Sequence, residues 1–153
     1  MKLKQYQKKR DFKKTIEPRG KKKVERTKEF IFVVQEHHAR NLHWDFRLEM
    51  DGVLKSWAIP KGPPEKQGEK RLAVQVEDHP LEYADFEGII PEGQYGAGKV
   101  IIWDRGTYEP LKKEPGKIEF ILYGDRLKGP FVLFRPKTFK SKNWLIMRKR
   151  GGN

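Results

Sequence analysis

Residues 42–59 read LHWDFRLEMDGVLKSWAI, two segments of alternating character separated by Asp51 and Gly52. Apolar residues recur at every second position of the first segment, which is the period of a β-strand with one face turned to a core. Asp-Gly between two such segments is typical of a two-residue hairpin, because both residues tolerate the positive φ that this turn requires. The stretch predicts antiparallel strands at His43–Met50 and Val53–Ile59.

Similar short segments of β-branched and aromatic residues recur between Gly and Pro breaks, which is typical of an all-β sandwich or barrel. Helix is expected at most over Leu3–Lys14 and in a turn after Pro80, where proline suits a first helical position. No internal repeat or linker divides the chain, so we predict one domain over residues 1–153, with residues 1–9 as a candidate flexible basic tail. Further strands are predicted at Phe30–Glu36, Leu72–Glu77, Lys99–Asp104, Ile118–Tyr123, Phe131–Arg135 and Trp144–Arg148.

The 153 residues carry a formal net charge of +13, with 34 Lys+Arg against 21 Asp+Glu. Residues 1–28 hold 13 basic and three acidic residues (+10), and residues 126–153 hold nine basic and no acidic ones (+9). Residues 29–125 hold 12 basic and 18 acidic residues (−6). Basic flanks favour a polyanion, nucleic acid above all, and an acidic centre attracts a divalent cation. An anionic membrane surface, solvated charged tails and adaptation to heat are the alternative explanations.

Several classes of protein are excluded by what the sequence lacks. There is no cysteine, which excludes a disulfide scaffold and a thiolate metal site. No apolar run approaches the roughly 18 residues of a transmembrane helix, and the N-terminus lacks the apolar region of a secretory signal. We therefore expect a cytoplasmic protein with no membrane partner.

The polar face of the strand at 42–50 carries residues with metal and phosphate chemistry. His43 and Asp45 are successive residues on this face, roughly 6–7 Å apart, so one metal ion fits between them. Arg47 follows, with a fork of donors suited to a phosphate. His37 lies six residues before His43, enough for a turn that brings two strands side by side. Two imidazoles and a carboxylate suit Mn, Fe or Zn and not calcium. The alternative interpretation of these polar residues is that they form an ordinary solvent-exposed strand face. His38, the next residue after His37, should point the opposite way, as a structural or exposed residue.

A second alternating strand, at 71–79, carries another polar set. Its apolar residues are expected on one face, and Ala73 should leave room among polar side chains on the other. Two polar faces with a cation, a carboxylate and a histidine favour one shared groove. The apolar residues are Leu72, Val74 and Val76; the polar ones are Arg71, Gln75, Glu77 and His79.

Residues 93–99 read GQYGAGK and match the pattern of a nucleotide-binding phosphate loop. Val100 stands where that loop needs Ser or Thr for magnesium, and the residues after it predict a strand where the loop needs a helix. We reject nucleotide hydrolysis and interpret the glycines as a tight connection with room for close backbone approach.

Long motifs over about residues 6–110 resemble the 3′-phosphoesterase domain of bacterial DNA ligase D and its free-standing archaeal relatives. They include VVQEHHAR at 33–40, LHWDFRLE at 42–49, DGVLKSWA at 51–58, EDHPLEY at 77–83 and IPEGQYGAG at 90–98. Shorter matches are KGP at 61–63, RLAV at 71–74, FEG at 86–88, WDRG at 103–106 and, near the start, KRDF at 9–12 with Thr15-x-Glu17-Pro18. The last forty or so residues match mainly in strand pattern and basic character.

The resemblance implies a small, closed or nearly closed β-barrel of about eight strands with short flanking helical segments. It implies manganese, or another divalent transition metal, on His37, His43 and Asp45. Members of this family remove a 3′-terminal ribonucleoside from a primer strand and then hydrolyse the remaining 3′-phosphate to a 3′-hydroxyl. The implied partners are a DNA or RNA-ended primer-template and, since ligase and polymerase domains do not fit in 153 residues, a ligase and a polymerase acting in trans. The implied groove residues are Arg47, Lys61, Arg71, Glu77, His79 and Tyr83, with Arg10, Asp11, Glu17 and Gln35 in supporting roles.

In this interpretation Arg47 and His79 contact phosphate, and Lys61 and Arg71 give wider electrostatic support. His79 is also the candidate general acid or base, because imidazole titrates near neutral pH. Tyr83 either orients a phosphate oxygen or packs. The alternative function is a non-catalytic basic barrel that binds single strands by stacking bases on aromatic side chains such as Trp57, Trp103 and Tyr95.

Overall fold

The computed structural model describes Leu3, Tyr6 and residues 29–150. Strands make up most of this part of the chain, and a short 3-10 helix, Leu81–Asp85, lies between the fourth and fifth of them. The strands are β1 (Phe30–His38), β2 (Leu42–Met50), β3 (Val53–Ile59), β4 (Lys70–His79), β5 (Gly88–Ile90), β6 (Gly98–Glu114), β7 (Lys117–Tyr123), β8 (Lys128–Phe134) and β9 (Asn143–Arg148).

Eight strands close into an antiparallel barrel. Hydrogen-bonded neighbours follow the order β1-β2-β3-β4-β9-β8-β7-β6, and β6 also pairs with β1, which joins the two ends of the sheet. β5 lies outside this ring and extends the sheet from β6. The predicted class, a mostly β protein with a closed barrel of about eight strands, is confirmed.

All eight predicted strands are present, and so is the hairpin. Met50 pairs with Val53, and the two residues between them have φ values of 57° (Asp51) and 81° (Gly52). Both positive values are those of a type I′ turn, whose twist matches that of the strands. Two features were not predicted: the three-residue β5, and the continuation of β6 to Glu114.

The barrel interior is filled by apolar side chains from every strand of the ring. Residues of β1 and β2 meet residues of β7, β8 and β9 there, and aromatic rings stack across the centre, Phe46 of β2 on Phe120 of β7 with ring centroids 5.9 Å apart. Burying one such side chain contributes roughly 1.5–3 kcal/mol, so this interior is the main source of stability. Its largest fully buried side chains are Phe32, Phe46, Leu48, Trp57, Phe120 and Phe131.

A second apolar cluster covers the outer face of β1 and β3. It includes side chains of the 3-10 helix and of the segment that leads into β5, and Tyr6 from the N-terminal part of the chain. The polar residues of β2 therefore lie between two layers and not on an open solvent-exposed face: Asp45, Arg47 and Glu49 are all buried.

The predicted alternation of β4 is wrong for its first half. Gln75 pairs with Trp57, and its Oε1 accepts a hydrogen bond from Trp144 Nε1 at 3.2 Å, so its side chain lies on the interior side with that of Ala73. The cause is a β-bulge: Ser56 pairs with Val76 and Leu54 with His79, so three steps of β4 span two of β3. An extra residue reverses the alternation of the following side chains.

One of the two predicted helical segments, the turn after Pro80, lies within the described residues. The 3-10 helix does follow Pro80, which caps it instead of forming its first residue. The predicted helix Leu3–Lys14 lies outside the described residues, apart from Leu3 and Tyr6. In the described part of the chain, no helix has the length and apolar character needed to cross a membrane.

Candidate active site

Strand register brings the three predicted metal ligands together. His37 of β1 pairs directly with His43 of β2, and the next pair on the same face is Gln35 with Asp45. His37 Nδ1 lies 3.4 Å from Asp45 Oδ2, and His43 Nε2 lies 3.3 Å from Asp45 Oδ1. Two ligands of one tetrahedral ion, each at roughly 2.1 Å, are roughly 3.4 Å apart. The cluster, whose ligand atoms all lie within 4.8 Å of one another, therefore fits a divalent transition metal.

Backbone carbonyls hold both imidazoles in the orientation that a metal requires. His37 Nε2 lies 2.7 Å from the Gly96 carbonyl oxygen, and His43 Nδ1 lies 2.9 Å from that of Asn41. An imidazole that donates one N–H to a carbonyl has its other nitrogen available, either to donate a hydrogen bond to a carboxylate when protonated or to give its lone pair to a metal ion when neutral. Those other nitrogens, Nδ1 of His37 and Nε2 of His43, are the two that face Asp45.

The charges around Asp45 keep it ionised. Burial alone would raise the pKa of this carboxyl, but the Arg47 guanidinium and hydrogen bonds from His37 and His43 outweigh burial and hold the pKa well below its usual range. Burial would lower the pKa of His43, yet the hydrogen bond and charge of Asp45, with the Asn41 carbonyl, raise it above its usual value. The cluster thus has a carboxylate ready to bind a cation.

Arg47 is buried beside this cluster and held on several sides. Its Nη2 lies 3.3 Å from Asp45 Oδ2, and its Nη1 donates to Ser56 Oγ at 2.9 Å. Its guanidinium carbon lies 4.9 Å from the centre of the Tyr83 ring, in cation–π contact. A planar fork fixed in this way is pre-organised, so binding an anion costs little side-chain entropy.

Gln35 is fully buried and orients Arg47. Its Oε1 accepts a hydrogen bond from Arg47 Nε at 2.7 Å, and its Nε2 donates to the carbonyls of Tyr83 (2.7 Å) and Phe86 (3.2 Å). It thereby ties the 3-10 helix to the barrel, while its predicted supporting role toward the substrate stays a prediction.

Because of the bulge in β4, the His79 side chain lies beside Arg47. Its Nδ1 lies 3.1 Å from the Glu77 carbonyl oxygen and 3.3 Å from Arg47 Nη1. Because the carbonyl only accepts and Arg47 only donates, Nδ1 serves one of them at a time. The His79 ring is fixed edge-on between two buried tyrosines, with centroids 4.9 Å from Tyr6 and 4.7 Å from Tyr83.

These groups open onto one cleft of about 520 Å³. The structure brings seven of the predicted site residues together in its lining. The other contributors come from the β1–β2 turn, from β3, β4 and β5, and from the segment between β5 and β6. The seven predicted residues are His37, His43, Asp45, Arg47, Glu77, His79 and Tyr83.

Lys61 and Arg71 lie elsewhere, in a second cleft of about 370 Å³. Arg71 Nη2 is paired with Glu69 Oε2 at 2.8 Å, and Trp44 and Trp103 also line this second cleft. Arg10, Asp11 and Glu17 lie outside the described residues. His38, expected to be structural or exposed, is exposed and lies 2.5 Å from Glu36 Oε2.

Several residues of the site were missed at the level of sequence. Ser56 and Tyr6 carried no signal, because a strand serine and an N-terminal tyrosine are ordinary residues. The carbonyls of Asn41 and Gly96 carried none either, since backbone contacts are independent of side-chain type. The glycine-rich run at 93–98 did point to close backbone approach, and Gly96 supplies it.

A closed barrel with a histidine–aspartate cluster beside a buried arginine has the groups that a phosphoesterase can use, a candidate metal site and a fixed cation. Comparison with known families is more specific: the DNA ligase D 3′-phosphoesterase domain matches residues 35–135. The chain belongs to this family.

Whole relatives are much longer than this chain. It is 50% identical over 157 residues to the multifunctional non-homologous end joining protein LigD of Pseudomonas aeruginosa, an alignment that covers 98% of this chain and 19% of the relative. The Mycobacterium tuberculosis H37Rv protein is 49% identical over 150 residues, covering 95% and 19% respectively. That of Mycolicibacterium smegmatis is 46% identical over 160 residues, covering 97% and 21%. The chain thus spans about a fifth of the length of the curated relatives it matches.

Proposed function

We propose that this chain is a manganese-dependent enzyme that processes 3′ ends. It removes a 3′-terminal ribonucleoside as a phosphodiesterase and then the 3′-phosphate as a phosphomonoesterase, which leaves a 3′-hydroxyl for DNA end repair. The observation that carries this proposal is the convergence of His37, His43 and Asp45 next to Arg47 in a single cleft.

The residues present divide the chemistry between them. A divalent cation held by His37, His43 and Asp45 would supply a Lewis acid at a non-bridging phosphate oxygen. Arg47 binds the phosphate and stabilises the charge that develops on it. His79, fixed beside Arg47, holds or delivers a proton at a phosphate or leaving-group oxygen.

The remaining predicted residues act at greater distance. Tyr83 packs against both Arg47 and His79, so its role is to orient them. Glu77 lines the cleft near His79. Lys61 and Arg71, in the second cleft, support the phosphates of the bound strand by their charge. Arg10, Asp11 and Glu17 are proposed for substrate binding on the resemblance alone.

A time course on a primer with one 3′-terminal ribonucleotide, with and without Mn²⁺, tests the proposal. We expect ribonucleoside release, then loss of the 3′-phosphate, both dependent on the metal. His37→Ala should abolish both steps. The matched control is His38→Ala, which removes the adjacent, exposed imidazole and should leave turnover unchanged. Absence of both products with Mn²⁺ saturating would contradict the proposed function.

The alternative, a non-catalytic single-strand-binding barrel, has less support in the structure. Trp57 is 1% exposed in the barrel interior, so no base can stack on it. Trp103 is partly buried, and the Arg126 guanidinium covers its ring at 4.5 Å. A binding module also has no need for a convergent metal cluster. Strand binding without hydrolysis, unaffected by His37→Ala, would favour this alternative.

We propose non-homologous end joining as the setting, because the relatives carry that process in their names. The substrate would be a DNA or RNA-ended primer-template, and the partners a DNA ligase and a polymerase. The cytoplasm is the proposed location.

A further inference from the structure

The cleft has a closed end beside Arg47 and an open end at the β1–β2 turn and the segment between β5 and β6, where Arg40 and Tyr95 line it. Along β2 the cluster residue Asp45 is followed on the same face by Arg47, beside which His79 and Tyr83 are buried. In the opposite direction the cluster ends at His37, which contacts Gly96. Gly96 and its neighbour Tyr95 line the cleft there.

Tyr95 differs from the other rings of this cleft in its exposure. Tyr95 is 46% exposed, whereas Tyr83, His37 and His79 are buried. Its backbone is fixed close to the metal cluster, because the next residue, Gly96, accepts the hydrogen bond from His37 at 2.7 Å. An accessible aromatic face at one end of a nucleic-acid cleft is suited to stacking a base.

We propose that Tyr95 stacks the base of the 3′-terminal nucleoside that is removed in the first step. This inference rests on the proposed function and deepens it. It makes Tyr95 a specificity residue for nucleoside removal: once the nucleoside has left, the remaining 3′-phosphate has no base for Tyr95 to hold.

The chemistry of the two sides of the scissile phosphate supports this placement. The retained strand carries further phosphates, which require cations. The leaving nucleoside has no phosphate beyond the scissile one and offers only a ribose and a base. The lining around Tyr95 includes Gly96 and Ile90, which are uncharged, and Arg40 of the β1–β2 turn also lines the cleft on this side of the metal cluster. Arg40 suits a phosphate or a ribose hydroxyl, so stacking on Tyr95 is the recognition available to the base.

Tyr95→Ala tests the assignment on the full chain with Mn²⁺. We expect kcat/KM for nucleoside removal to fall roughly five- to hundredfold, the range of base–aromatic stacking, while removal of a pre-formed 3′-phosphate is unchanged. Tyr95→Phe should retain both steps. The control is Tyr123→Ala, which removes a tyrosine of similar exposure (53%) whose hydroxyl donates to Glu109 and which does not line the cleft. Equal loss of both steps would place Tyr95 against the retained strand and overturn the assignment.

A change in the substrate gives a second test. A primer that ends in 1-deoxyribose keeps the 2′-hydroxyl but has no terminal base. Wild-type protein should cleave it as slowly as Tyr95→Ala cleaves the normal primer, and Tyr95→Ala should cause no further loss on it. A further loss of similar size on this primer would contradict stacking.

A binding measurement separates this inference from the proposed function. A strand with 3′-terminal 2-aminopurine riboside loses fluorescence when its base stacks, and the assay needs no turnover. Quenching by the wild type and Tyr123→Ala, but not by Tyr95→Ala, supports the base site even if no hydrolysis occurs, in which case the proposed function alone fails. Equal quenching by the wild type and Tyr95→Ala would overturn the inference while leaving hydrolysis unaffected.

Discussion

Asp45 connects the two histidines of the metal cluster with the buried Arg47. It faces both histidines of the cluster and also pairs with Arg47. The anion that would hold a metal is thus the anion that compensates the buried guanidinium. Removing the Asp45 carboxylate leaves the buried charge of Arg47 uncompensated, which lowers stability more than breaking an exposed ion pair would. His43, the more accessible ligand, is therefore the better residue for testing the metal.

Metal binding should be measurable as thermal stabilisation. A ligand at about a hundred times its Kd stabilises the folded state by roughly 2.7 kcal/mol, and at roughly 2–4 °C per kcal/mol for a chain of this size Mn²⁺ should raise Tm by about 5–10 °C. His43→Ala should eliminate this rise, since one of three ligands is lost, and His38→Ala should keep it. Differential scanning calorimetry with and without Mn²⁺ measures both. An undiminished rise in His43→Ala would refute the cluster as the metal site.

The position of His79, apart from the three metal ligands, makes the two reactions separable. A 3′-phosphate monoester is close to a dianion near neutral pH and depends more on hydrogen-bond donors beside Arg47, whereas the diester has one charge. We expect His79→Ala to slow phosphate removal more than nucleoside removal, so that the 3′-phosphate intermediate accumulates. Variants of the metal ligands should lose both steps together.

A gel time course that resolves the primer, its 3′-phosphate and its 3′-hydroxyl product measures this separation. His38→Ala again serves as the control for loss of an imidazole outside the cleft. If His79→Ala slows both steps equally, His79 belongs to the machinery common to both reactions.

At the level of whole elements, the segment between β5 and β6 shapes the site through its backbone. Gly93 and Gly96 have φ values of 86° and 75°, which other L-residues adopt at a cost of roughly 1–2 kcal/mol. A Cβ at Gly93 would meet nothing within 4 Å, whereas one at Gly96 would lie 3.4 Å from His37 Cε1. The two positions therefore share the backbone strain but differ in contact with the metal cluster.

This difference gives a matched pair of variants. Gly93→Ala and Gly96→Ala should each lower the free energy of unfolding by roughly 1–2 kcal/mol. Only Gly96→Ala should also weaken Mn²⁺ binding, by about tenfold or more, because the strained backbone there includes the carbonyl that orients the His37 imidazole. Urea unfolding and calorimetric titration with Mn²⁺ measure the two effects. Equal metal affinities in the two variants would show that the Gly96 contact does not matter for the site.

The elements also show how far the sequence predicts this structure. Strands with strict alternation, such as β2, were located to within a residue, and Asp51-Gly52 identified its turn. The face of β4 was predicted wrongly because a bulge is set by pairing with β3, and one inserted residue reverses a period-two pattern without changing composition. β5 was missed because three residues are too short to show a period.

For the molecule as a whole, barrel closure and a polar site were predictable from alternating strands and from the long family motifs. The second apolar cluster over the site was not predictable, because it includes Tyr6, which contacts His79 although the two residues are more than seventy positions apart in the sequence. Tyr6 is buried against His79 and Tyr83, so removal of residues 1–9 would alter the surroundings of the site as well as the charge. A test of the basic flank must leave Tyr6 in place.

The unequal distribution of charge leads to a prediction about strand affinity. The N-terminal segment carries +10 and the central one −6. When lysines near the N-terminus are replaced by neutral residues, binding of a nucleic-acid strand should therefore release fewer counterions than it does with the wild type. We expect Lys4→Gln, Lys8→Gln and Lys9→Gln together to make the slope of log affinity against log salt concentration shallower by up to about 2–3, at roughly 0.7–0.9 for each phosphate that the protein no longer neutralises.

The control replaces Lys112, Lys113 and Lys117, each of which is paired with a carboxylate of the barrel, at Glu114, Asp51 and Glu119 respectively. That variant removes the same charge but should change the slope little, because its lysines already neutralise protein anions. Fluorescence anisotropy at several salt concentrations gives both slopes, and equal changes in the two variants would mean that net charge alone, and not the N-terminal segment, governs strand affinity.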